Sequence, residues 1–200
     1  MNQSIREVTI GKWISEGWEL VKSDFWNFVL LTLIYLVLIS VAGSTIVITA
    51  IIAGPLTYSY YYIILQKLRG QPFNLNDLIK GFNNFLPAFL AGLLISLFSF
   101  IGLWFCIIPF FIINAMYSFT YLLMIERKLD FWDAMEESRK LIWQNIGMFT
   151  LFTVVGGLVA LLGLLLCCVG ILFTMPIYFC AVACAYRDWV GLSLPTPTLQ

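Results

Sequence analysis

The sequence predicts an all-α fold, a polytopic membrane helical bundle with six transmembrane helices in three hairpins and interfacial amphipathic helices between them. Three observations carry this expectation. Charged side chains make up 11% of the 200 residues and hydrophobic ones 61%, whereas about a quarter of a soluble domain is charged; mean hydropathy is +0.93. Charge is absent from three runs, residues 25–66, 81–125 and 141–186, of 42, 45 and 46 residues. A helix needs about 20 residues to cross the hydrocarbon core, so each run holds two crossings and not three. Each run also has a turn signal near its middle, at Ala42-Gly43-Ser44, residues 102–109 and Cys167-Cys168-Val169-Gly170. This favours a hairpin over a single span with a re-entrant loop.

All 11 Lys and Arg lie outside these runs. With two crossings per run they share one side, and the Lys/Arg bias of membrane proteins makes that side the cytoplasm. Both termini are expected there. The first apolar run is too long for a signal h-region, so no cleavable signal peptide is expected.

In chain order, residues 1–8 read as a polar start. Residues 9–24 form an interfacial helix with Ile10, Ile14, Trp18, Val21 and Phe25 on one stripe, and Trp13 and Trp18 suit the headgroup level. Two spans follow, at about 25–41 and 45–68. Asn74 is the expected cap of a second surface helix, before a span from about Phe85 and another ending at Glu126. Residues 126–145 are the longest polar stretch, with nine charged side chains. Asp130 is placed to cap it, and Ala134, Met135, Ser138, Leu141 and Ile142 recur on one helical face. The last two spans run from about Ile146 to Arg187. The chain is thus one domain, 1–191, of three units at about 9–70, 74–128 and 129–191; residues 192–200 read as a disordered tail.

The units repeat. Asp24-Phe25, Asn84-Phe85 and Asn145-Ile146 mark the start of each hairpin at intervals of 60 and 61 residues, and Pro55, Pro109 and Pro176 each fall in the second span of a hairpin. Proline removes a backbone hydrogen bond, so these three are expected kinks facing the interior, with Thr57, Asn114, Ser118 and Thr174 as candidate partners. The glycines at 156, 163 and 170 form a stripe along the fifth span, suited to close helix packing.

Functional residues are sparse. Ionisable groups inside spans mark coupled transporters, and the charge-free runs hold only hydroxyls, amides and thiols. Asn114, Tyr117 and Tyr121 are a candidate interior polar site, although Asn114 also suits a broken helix and the Tyr-rich span ends suit interfacial anchoring. Glu126, Arg127, Arg139, Arg187 and Asp188 are expected to form a cytoplasmic ionic cluster where the second and third hairpins meet. With no His in the chain, neither a metal site nor an acid–base or nucleophilic site is expected, and no cofactor. Cysteines 106, 167 and 168 lie near outer turns, where Cys106 is a candidate to pair with Cys167 or Cys168; Cys180 and Cys184 read as buried small hydrophobes.

The chain resembles a broad group of uncharacterised bacterial six-span membrane proteins related to the membrane domain of glycerophosphodiester phosphodiesterases. The residues that carry the resemblance are Gly17-Trp18, Phe25-Trp26, Gly54-Pro55, Arg69-Gly70, Asp77-Leu78 with Gly81-Phe82, and Glu126-Arg127. Further along they are Asp130, Ala134, Ser138-Arg139 with Asn145, residues 174–176, and Ala185-Tyr186-Arg187-Asp188 with Gly191. The resemblance covers about residues 10–191. It implies a helical membrane domain and no activity, because catalysis in those phosphodiesterases belongs to a separate soluble domain. The expectation is a non-enzymatic, multi-pass protein of a bacterial inner membrane, an accessory or scaffold subunit of a larger membrane complex. The alternative is binding or transport of a lipid or small neutral solute between the kinked spans. Membrane lipids and a membrane-protein partner or second copy are the expected contacts; nucleic acid is not.

Overall fold

At two places where an amphipathic, charge-bearing segment gives way to an apolar one, the chain turns through about a right angle. The computed structural model describes residues 10–42, 46–71, 75–105, 107–165 and 170–192. Among them every regular element is helical: α1 (Ile10–Ser23), α2 (Phe25–Ala42), α3 (Ile46–Leu68), a 3-10 segment (Leu75–Asn84), α4 (Phe85–Phe105), α5 (Ile107–Met116), α6 (Thr120–Arg127), α7 (Phe131–Trp143), α8 (Ile146–Leu165) and α9 (Ile171–Trp189). The bend is 98° between α1 and α2 and 104° between α7 and α8. The joint residue starts the next helix with its own carbonyl. Asp24 O accepts from Phe28 N at 3.1 Å, and Asn145 O from Met148 N at 3.1 Å and Phe149 N at 3.2 Å. Helix boundaries fall at 24/25, 84/85 and 145/146, the repeat positions expected from Asp24-Phe25, Asn84-Phe85 and Asn145-Ile146.

Stretches Phe82–Phe105, Ile107–Arg127 and Ile171–Trp189 are each long and apolar enough to cross a membrane, and the two bent pairs qualify jointly, which gives three to five candidate crossings. Helix α3 has 23 residues, but Thr57, Ser59 and four tyrosines make it less apolar than the others. The outer surface is that of a membrane protein. Trp26, Trp104, Phe105 and Ile108 are 79%, 83%, 79% and 67% exposed, a surface suited to hydrocarbon and not to water.

The interior is aromatic. Trp13 stacks on Phe149 and meets Phe152 edge-on, with centroids 5.8 and 5.4 Å apart. Phe149 in turn packs edge-on with Phe119 and Trp189, and Phe152 continues the chain of rings through Tyr178 and Phe179 to Tyr60 and Tyr35. Trp13 is thus corrected from headgroup anchor to core residue. Only Trp18 keeps an exposed place, with the Lys22 ammonium 4.9 Å from its ring centre. The cause is Gly17, one turn beyond Trp13: a Cβ there would lie 2.8 Å from Ala181 N and 2.9 Å from Ile177 O. Lacking one, α1 presses its backbone onto α9 and carries Trp13 inward. The tyrosines expected as interfacial anchors are also core residues, with Tyr60, Tyr61, Tyr121 and Tyr186 all buried.

Other crossings use the same device. A Cβ on Gly92 would stand 2.8 Å from Gly54 Cα, where α3 crosses α4. Gly156 faces the Tyr178 ring and Gly163 faces Thr174 and Gly170, so this stripe packs α8 on α9 within the chain.

Three local expectations change. The second surface helix is a 3-10 segment from Leu75, and its expected cap Asn74 lies outside the described residues. The fourth span is broken at residues 117–119 between α5 and α6. Ser138 of α7, fully buried, satisfies the break: its Oγ donates to Met116 O at 2.7 Å and accepts from Phe119 N at 3.3 Å. Pro55 and Pro176 lie inside α3 and α9 and are buried, but Pro109 is the third residue of α5. It starts a helix, where its missing N–H costs nothing, and does not kink one. Cysteines 106, 167 and 168 and residues 193–200 lie outside the described residues, whereas Cys180 and Cys184 are buried free thiols.

Adding a methyl group at Gly17 forces two backbones apart and should cost about 1–3 kcal/mol. The same change at Gly11, which has nothing within 4 Å of the added atom, should stabilise α1 by about 0.5–1 kcal/mol. Thermal melts of Gly17→Ala and Gly11→Ala in detergent should move in opposite directions; equal shifts would contradict the α1–α9 contact.

Candidate functional site

The five charges expected in one cluster separate into different pairings. Arg187 Nη2 reaches Glu16 Oε2 at 2.5 Å and Asp188 Oδ1 at 2.8 Å, while Asp188 Oδ2 accepts from Lys12 Nζ at 2.9 Å and Trp13 Nε1 at 3.3 Å. These two belong to the α1–α9 contact. Glu126, with its side chain only 1% exposed, pairs with Arg69 at 2.5 Å. Arg127 pairs with Glu137 at 2.9 Å and Arg139 with Glu136 at 2.7 Å. Adding the Lys67–Asp24 pair, the ionic contacts tie α1 to α9, the α1–α2 joint to α3, α3 to α6, and α6 to α7. Sequence spacing identifies the charged groups but gives only the local partner of Arg139; Glu126 pairs across 57 residues and Arg187 with Glu16 across 171.

The three residues of the expected interior polar site each contact α4. Asn114 Nδ2 donates to Phe110 O at 2.8 Å and Ser99 Oγ at 3.1 Å. Tyr117 stacks on Phe98, with centroids 5.9 Å apart. A Cβ on Gly92 would lie 2.9 Å from the Tyr121 hydroxyl. All three side chains therefore fasten α5–α6 to α4. Among the proline partners expected, Thr57 Oγ1 donates to Ala53 O at 2.8 Å and meets Tyr35 Oη at 3.2 Å.

A separate cleft opens where α3, the start of α4 and the α6–α7 connection meet. Its volume is about 480 Å³, within the range of small-ligand pockets. Tyr58, Tyr62, Asn84, Lys128 and Asp130 line it with polar groups, and Pro87, Met124, Ile125 and Leu129 with apolar ones. Asn84 Nδ2 donates to Tyr58 Oη at 3.1 Å. Lys128 ends α6 in the left-handed region, with φ 53° and ψ 34°, which costs a non-glycine residue roughly 1–2 kcal/mol. Asp130 occupies the cap position of α7 in extended conformation, and its carbonyl accepts from Ala134 N at 2.9 Å, but its carboxylate makes no capping bond. The expectation that its side chain caps α7 is thereby corrected. Among the described side chains, Lys128 is the one cation with neither a carboxylate nor an aromatic partner. A trace of this is present in the sequence: Lys128 has no acidic residue three or four positions away, unlike Arg139 and Lys140, which share Glu136.

Compared with family models, curated proteins and solved structures, the chain matches none.

Two outcomes test this geometry. Arg187→Ala removes two carboxylate contacts from a partly buried pair and should cost about 1–2 kcal/mol, read as a lower melting temperature; an unchanged melt would remove the α1–α9 ionic contact from the account. Hydrogen bonding from Arg139, with the charges of Arg139 and Lys140, holds the Glu136 carboxyl down to about 2 from 4.5. The folded value is the lower one, so this contribution is whole above about pH 4.5 and lost as pH falls towards 2. Amide protection of α7, corrected for intrinsic exchange, should decline across that window in the wild type and stay level in Glu136→Gln.

Proposed function

We propose that the chain is a non-enzymatic membrane module that crosses a bacterial inner membrane six times in three hairpins, with both termini cytoplasmic. It acts as an accessory or scaffold subunit of a larger membrane assembly. The observation that carries this reading is how the polar groups of the apolar helices are used. Thr32 and Tyr60 bond at 2.8 Å, Tyr35 meets Thr57, and Asn114 and Ser138 hold helices to one another. These groups build the bundle, around a core filled by aromatic rings, while large apolar side chains of α2, α4, α5 and α8 face outward. An outward face of that kind meets lipid or another span.

Kinship with the six-span proteins related to the phosphodiesterase membrane domain is part of this proposal. Its support is that the shared residues have structural work: Gly17 and Gly54 at helix crossings, Ser138 at the broken span, Gly70 and Gly191 at φ 69° and 90°. The second reading, lipid or small-solute binding, is favoured by the cleft beside Lys128.

Sidedness and assembly can be tested together. In intact cells a membrane-impermeant maleimide should label cysteines 106, 167 and 168 and leave Cys180 and Cys184 unmodified. A photo-reactive side chain at Trp104 or Leu158 should trap one discrete heavier protein species. Labelling only after lysis contradicts the topology, and adducts with lipid alone contradict the subunit reading.

A further inference from the structure

We propose that the cleft beside the α6–α7 connection binds the headgroup of a zwitterionic phospholipid, one that joins a phosphodiester to a primary ammonium. The inference rests on the lipid-binding reading and on membrane placement, and is independent of the subunit reading.

Charge comes first. Lys128 and Asp130 line the same cleft two residues apart, and neither forms an ion pair with the other or with any other described side chain. Here the left-handed turn at Lys128 and the extended conformation at Asp130 hold them as two separate points. A simple anion answers Lys128 but brings negative charge against Asp130. A simple cation has the reverse defect. A ligand carrying both charges satisfies both residues and leaves neither facing a like charge.

Hydrogen-bond capacity narrows the class. Tyr58 Oη accepts from Asn84 Nδ2, which leaves its own proton to donate towards a phosphate oxygen beside the Lys128 ammonium. Asp130 has not spent its oxygens on its own helix, so it can accept from the three N–H donors of a primary ammonium. A quaternary ammonium offers no such donor. Pro87 and Met124 complete the wall with apolar surface for the glycerol end of a lipid. The cleft also lies where α3, α4 and α6 pass from apolar to charged sequence, which is headgroup level.

The test uses the full chain in nanodiscs of equimolar phosphatidylethanolamine, phosphatidylcholine and phosphatidylglycerol, with retained lipid read by native mass spectrometry. The wild type should keep phosphatidylethanolamine over either competitor. Asparagine tolerates the left-handed region, so Lys128→Asn removes the cation without disturbing the turn. It should reduce that retention about tenfold, the loss of one charge-assisted hydrogen bond. Asp130→Asn should reduce it similarly and raise phosphatidylglycerol retention. Melting temperatures within error of the wild type exclude unfolding as the cause. Equal retention of the three lipids, or variants that retain phosphatidylethanolamine as the wild type does, overturns the proposal. So does displacement by inorganic phosphate as readily as by phosphoethanolamine, which would make this a simple anion site. Carbonate extraction of the same membranes separates the two levels: a chain that is stripped off overturns membrane placement, while a chain that stays without lipid preference overturns only the headgroup site.

Discussion

The contact between α1 and α9 joins the first and last described helices, and the aromatic core packs against it. It combines a short backbone approach at Gly17 with a four-residue ionic group, Lys12, Glu16, Arg187 and Asp188, part of which also accepts from the Trp13 indole. Close approach brings Lys12 and Glu16 within reach of Asp188 and Arg187, and these pairs in turn restrict the rotation of α1 on α9. Trp13 then occupies the centre of the aromatic core against Phe149 and Phe152, which connects the first helix to α8 as well. A half-buried network of this kind resists removal of one member more than it adds to stability as a whole.

Other ion pairs connect successive stretches of the chain. Lys67 with Asp24 closes the first unit, Arg69 with Glu126 joins the first to the second, and Arg127 with Glu137 joins the second to the third. Within the apolar stretches, described residues pack by shape, through Gly54 against Ala88 and Gly163 against Gly170. This division follows from the surroundings: charges are affordable where chain meets water, and small-residue packing serves where hydrocarbon gives no hydrophobic drive between helices.

Much of this was legible before any coordinates. The boundaries at Asp24, Asn84 and Asn145 are visible because an acid or amide stands directly before Phe or Ile at intervals of 60 and 61 residues, within a few residues of the start of each charge-free run. The buried face of α7 follows from residue spacing, since Ala134, Met135, Ser138 and Ile142 recur on one side. What was not legible is which surfaces face each other. Trp13 and the tyrosines have residue types that suit either an interface or a core, and only Gly17 and the α9 backbone decide between them. Pro109 reads as a kink because a turn and a span look alike in an apolar run. Glu16, one ionic partner of Arg187, lies 171 residues away, beyond any local pattern. The cleft was missed for a related reason: Lys128 and Asp130 are unexceptional in a polar stretch until the structure leaves both without partners.

The most direct test of this account is a double-mutant cycle between Glu16 and Arg187, with Glu16→Gln, Arg187→Gln and the double variant measured by chemical unfolding in detergent. Closure of the chain through α1 and α9 predicts a coupling energy of about 0.5–3 kcal/mol, the range for residues in one network. Additive effects would mean that the two side chains act independently, and would remove the contact on which the arrangement of the three units depends.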